Sequence, residues 1–108
     1  MIEGNQSIKF IEIISNIINV LKDESYLSQT DFLVHLIDSI NRENFEKFIQ
    51  DINSEILWGG SGAIWEIEMR DSKKQDILMR NLADLIRQMK NLNMLGKRAK
   101  SVYKLIVK

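Results

Sequence analysis

Cysteine and proline are both absent from the 108 residues, and histidine occurs once, at His35. Without cysteine there is no disulfide, thiolate zinc site, redox pair or cysteine nucleophile. With a single histidine there is no HExxH motif and no bis-histidine haem ligation within one chain. Only hard cations held by carboxylates stay chemically open, since oxygen ligands suffice for them. No metal, cofactor or catalytic residue is expected. Long uncharged apolar runs are lacking as well. The richest stretch, Ile8 to Leu21, is interrupted by Lys9, Glu12, Ser15, Asn16 and Asn19. A bilayer span needs about 18 or more such residues in succession. Met1-Ile2-Glu3-Gly4-Asn5 also lacks the basic start of a signal peptide. A soluble, cytoplasmic protein with no membrane association is expected.

What is present is helical periodicity. Hydrophobic residues make up 44% of the chain and charged residues 28%, proportions of a globular domain able to bury a modest core. Apolar residues recur at spacings of three and four nearly throughout. Ser7 is the expected cap of a first helix with Phe10, Ile11, Ile14, Ile17, Ile18 and Leu21 inward. Ile13 and Val20 widen that stripe, which places the helix centrally among several neighbours. Ser28 or Thr30 is expected to start a second helix, with Phe32, Leu33, Leu36, Ile37 and Ile40. Asn41 is expected to cap a third, running from Phe45 through Ile56. Asp71 or Ser72 opens a long fourth with Ile77, Leu78, Leu82, Leu85, Ile86 and Met89. Gly96 is its expected C-cap. A last helix begins near Lys97. The expectation is an all-α, single-domain bundle of about five helices over 1–108, with a glycine-rich loop and a short extended segment, Ile64 to Met69, in mid-chain.

Three of the five glycines fall within Trp58-Gly59-Gly60-Ser61-Gly62-Ala63-Ile64-Trp65. A P-loop is excluded because no Lys follows at the spacing that reaches phosphates. A dinucleotide fingerprint would need glycine where Trp65 stands, and a GxSxG elbow would need it where Ala63 stands. His35, the sole imidazole, precedes Ser61, the reverse of the usual hydrolase order. The plainest role is structural: Gly59 ends the third helix in a left-handed cap while Trp58 and Trp65 pin the turn into the core. Yet one glycine suffices to stop a helix, and tryptophan is favoured at binding hot spots. The loop therefore also suits a contact surface.

The segment Trp58 to Glu66 resembles the hallmark of a group of small, uncharacterised bacterial helical proteins, a Gly-Gly-x-Gly-Ser pattern followed by an acid. Gly59, Gly60, Gly62 and Glu66 match it, and Ala63 departs from the usual serine. The resemblance implies a non-catalytic binding role of the immunity or antitoxin kind. Taken together with the loop's composition and the acidic helix beside it, the expected contact residues are Trp58, Gly59, Gly60, Ser61, Gly62, Trp65 and Glu66, with Asp51 and Glu55 on the adjoining acidic helix face.

Charge is unevenly laid out. Residues 1–57 hold ten acids and four bases, a net of −6, and residues 58–108 hold five acids and eleven bases, a net of +6. No acid follows Asp84, whereas Arg87, Lys90, Lys97, Arg98, Lys100, Lys104 and Lys108 do. Internal complementarity between the halves is the first expectation, helped by cations at helix C-termini. The acidic helices could also steer a basic protein partner. The alternative is a nucleic-acid-associated regulator using Arg87, Lys90, Lys97, Arg98, Lys100 and Lys104. Against it stand a pI near 6.6, where a basic footprint usually exceeds about 9, and the lack of aromatics near the run besides Tyr103.

Overall fold

In the computed structural model, which describes residues 2–106, helix formation follows the apolar spacing. The elements are α1 (Gly4–Asp23), α2 (Leu27–Asn41), α3 (Phe45–Ile52), the single turn α4 (Glu55–Trp58), α5 (Ser72–Asn91) and α6 (Lys97–Ile106). The protein is all-α, with five helices of eight residues or more and no strand among the described residues. The mid-chain segment expected to be extended opens instead with one turn of 3-10 helix, Ile64–Glu66, and only then runs out at Ile67.

Helix α1 is the central element. Phe10, Ile13, Ile14, Ile17, Val20 and Leu21 are all buried, which needs walls on more than one side. It packs against both α2 and α5. Asn16 Nδ2 meets Asn81 Oδ1 at 3.2 Å and Asp23 meets Lys74 at 3.7 Å, so α5 runs antiparallel to α1. Phe10 joins α3 edge-on to Phe48, with ring centroids 5.1 Å apart. One continuous core runs from Ile2 to Val102 and takes in Met69 and Met89, with Met79 and Met94 packed at its margin. Each fully buried Leu, Ile or Phe contributes about 1.5–3 kcal/mol of burial free energy, against about 0.5–2 kcal/mol for a helix cap.

Three of the helix starts differ from expectation. Helix α1 starts three residues before Ser7, where Gln6 Oε1 accepts from the Glu3 amide at 2.8 Å. Helix α2 starts at Leu27, after Ser25 turns through φ 66°. Thr30 lies in its first turn and donates its hydroxyl to the Tyr26 carbonyl at 2.8 Å. Asn44, not Asn41, caps α3, accepting from the Lys47 amide. Asp71 does cap α5, accepting from the Lys73 amide at 2.8 Å.

Asn53 accounts for the third helix stopping at Ile52. Its Nδ2 donates to the carbonyls of Ile49 and Met94, at 2.9 and 3.0 Å, and its Oδ1 accepts from the Gly96 amide at 2.7 Å. Its bond to Ile49 takes up a carbonyl that the next turn of a longer helix would have satisfied along its own backbone. The side chain also fastens the α5–α6 connector to the end of α3. Gly96 is consequently not the C-cap of α5. That helix ends at Asn91, Asn93 takes the left-handed turn at φ 58°, and the Gly96 carbonyl accepts the Lys100 amide at the start of α6.

Candidate functional site

The glycine segment follows directly from α4. Trp58 is 2% exposed, and its indole Nε1 donates to the Ile52 carbonyl at 2.7 Å. Trp65 is half-buried and donates to the Gly59 carbonyl, also at 2.7 Å. Two indole N–H groups thus satisfy backbone carbonyls that the broken helix leaves open. Both tryptophans are internal struts of the loop.

Gly59 is not a left-handed cap: its φ is −76° and its ψ −157°. Glycine is required there by close approach, since a Cβ would lie 2.6 Å from the Glu55 carbonyl oxygen. The left-handed residue is Gly62, at φ 90°, which closes a turn in which the Ala63 amide donates to the Gly60 carbonyl at 3.0 Å. Gly60, Ser61 and Gly62 are exposed, while Ala63 and Ile64 are buried. The chain dips into the core on both sides of a three-residue exposed tip.

Beside that tip lies a cleft of about 340 Å³, largely apolar, lined by Ser28 and Gln29 of α2, Glu55 and Ile56 of α4, and Ser61, Gly62 and Ala63. Ile56 is 47% exposed, one of seven exposed large aliphatic side chains among the described residues and the one that lines this cleft. The structure therefore brings Glu55, Ser61 and Gly62 to one place. Glu66 is exposed but does not line the cleft, and neither does Asp51, which pairs with Lys47 at 2.9 Å. In the sequence Ser28 reads as a helix cap and not as a site residue, and Gln29 carries no signal of its own. Ile56 reads there as one more apolar position of an uninterrupted third helix, and only the break at Asn53 turns it outward.

The basic residues divide into two groups. Arg87 pairs with Asp84 at 2.9 Å and Arg98 with Glu55 at 2.6 Å. Lys90 stands 5.8 Å from the centroid of the Tyr103 ring. Lys97, Lys100 and Lys104 are exposed and form no ion pair among the described residues. Lys108 lies outside the described residues. Complementarity between the halves is real but local. The Glu55–Arg98 and Asp23–Lys74 pairs cross from one half to the other, as does the bond from the Arg70 amide to Glu24 at 3.1 Å.

His35 is exposed, with Nδ1 2.7 Å from the Asp31 carbonyl one helical turn back. It does not border the cleft beside Ser61. Among the described residues, no three His, Asp or Glu side chains converge as a metal-binding set, and no helix is long and apolar enough to cross a membrane. No family model, no curated protein and no solved structure matches the chain.

Proposed function

We propose that this chain is a non-enzymatic protein-binding module, of the immunity or antitoxin kind that blocks a bacterial toxin or enzyme in the cytoplasm. Its contact surface is the cleft between the start of α2, α4 and the Gly60–Gly62 tip. The observation that supports this reading is Ile56, a half-exposed aliphatic side chain in a largely apolar cleft beside the Gly60–Gly62 tip. Buried anchors surrounded by polar groups are the common form of a binding hot spot. Glu55, Ser28 and Gln29 supply that polar surround. The tryptophans and Gly59 act one step back, by holding the tip in place. The partly buried Asp51 and the exposed acids of α2 and α3 would act on the rate of encounter.

The test is capture of a protein partner from the source lysate, with nuclease present, using the parent chain and two variants. The parent and Lys100→Glu should retain one stoichiometric protein, and Ile56→Asp should lose it. Retention by Ile56→Asp, with its fold intact by circular dichroism, would place the contact elsewhere. If reversing Asp51 and Glu55 together left the association rate with that protein unchanged, the steering role of the acidic face would fall.

A further inference from the structure

We infer a second, separate interaction surface: a lysine ridge on α6 that binds the phosphate backbone of duplex nucleic acid without reading its sequence. Lys97, Lys100 and Lys104 stand at positions i, i+3 and i+7, on one face of the helix. The opposite face carries Ala99 and Val102, both buried in the core. That inward face fixes the ridge outward. On one flank, the Tyr103 ring draws Lys90 of α5 alongside α6. On the other flank, Arg98 is occupied by Glu55. The ridge itself is free of carboxylates within ion-pair distance among the described residues, and no acid occurs in the chain after Asp84. The domain's neutral net charge conceals this segregation, which is what a polyanion would sense at distances below a Debye length of about 8–10 Å.

The spacing and residue types select the ligand. Seven residues of helix advance about 10.5 Å, at about 1.5 Å each. One duplex strand presents a phosphate every 3.4 Å or so of axis, so a ridge of this length lies within reach of roughly three to four successive phosphates. Bidentate recognition of guanine would call for free guanidinium groups, and both nearby arginines, Arg87 and Arg98, are paired with carboxylates. Lysines acting as point charges give contacts that position without specifying. An anionic bilayer fits less well. A membrane-surface helix buries an apolar face in the lipid, whereas the apolar face of α6 already lies in the bundle and leaves Leu105 as its one well-exposed aliphatic group.

The probe is a fluorescein-labelled 20-base-pair DNA duplex, followed by anisotropy between 20 and 200 mM NaCl with the full chain. Expected is binding at low salt that weakens with a log K against log salt slope of about −2.7 to −3.6, for three to four neutralised phosphates. Scrambling the duplex sequence should leave the affinity unchanged. The triple variant Lys97→Gln, Lys100→Gln, Lys104→Gln should lose binding at least tenfold, and Lys→Arg at the same positions should keep it. A matched variant, Lys9→Gln, Lys73→Gln and Arg80→Gln, removes equal charge from other exposed positions and should bind within about twofold of the parent. The proposal is overturned by no binding at 20 mM salt, by equal losses in the two triple variants, or by anionic vesicles competing for the ridge more strongly than the duplex. None of these outcomes bears on the cleft, because no ridge residue lines it.

Discussion

Asn53 Oδ1 and the Gly96 amide, 43 residues apart in sequence, meet at 2.7 Å, and a Cβ on Gly96 would lie 2.6 Å from that same oxygen. The hydrogen bond and the close approach are one arrangement. Asn53→Ala should destabilise the fold by about 1–3 kcal/mol, because it leaves partly buried backbone groups without partners. Gly96→Ala should also destabilise it. The double variant should cost less than the sum of the two, since removing the Asn53 amide group makes room for the new methyl. Urea denaturation of the four proteins measures the coupling, and strict additivity would contradict the arrangement.

The three loop glycines should separate cleanly. Gly59→Ala pushes a methyl against backbone that cannot swing away, and should be the most damaging. Gly62→Ala meets open space but must hold φ 90°, a strain of about 1–2 kcal/mol for an L-residue. Gly60→Ala has neither obstacle and should be neutral or stabilising by up to about 1 kcal/mol through the unfolded chain. Thermal unfolding of the three single variants gives the ranking. If Gly60→Ala were the worst of them, the tip would have to adopt a different turn.

Tryptophan emission offers a direct view of the loop. In Trp65→Phe the remaining indole is Trp58, 2% exposed, and iodide should quench it weakly. In Trp58→Phe the remaining Trp65 should be quenched more strongly, and that variant should also lose about 1–3 kcal/mol for leaving the Ile52 carbonyl without its donor. Equal quenching of the two would mean that the segment does not dock into the core.

The Glu55–Arg98 pair is short, but its side chains are 72% and 56% exposed. Exposed pairs contribute about 0–1 kcal/mol. Arg98→Ala should therefore shift stability by no more than about 1 kcal/mol, and raising the salt concentration should shrink that shift. A larger, salt-independent loss would indicate that the Arg98 stem packs structurally.

Most of the fold was legible in the residues. The inward positions of α1, α2 and α5 repeat with helical spacing, and the structure buries Leu33, Leu36, Leu78, Leu82 and Leu85 as that spacing requires. The wide stripe on α1 correctly signals a central helix. What escaped notice depends on contacts far apart in sequence. Nothing local to Asn53 says that it reaches Met94 and Gly96, so the break in the third helix, the outward turn of Ile56 and the cleft beside it were all hidden. Asn41 and Asn44 are equally good caps by type, and which one is used depends on where Glu43 turns left-handed, at φ 57°. Gly59 and Gly96 were noticed for their freedom of φ, but they are glycines because another atom needs the space.

The Glu55–Arg98 bond ties one wall of the cleft to the flank of the lysine ridge. A ligand that claims Glu55 releases Arg98 to the ridge, and one that claims Arg98 leaves Glu55 unpaired beside the cleft. The two surfaces are then thermodynamically linked, and the linkage must act equally in both directions. Its ceiling is the worth of the pair itself, about 1 kcal/mol, or roughly a fivefold change in affinity. Such a device would let each partner modestly favour the other's binding without ever acting as an all-or-none switch.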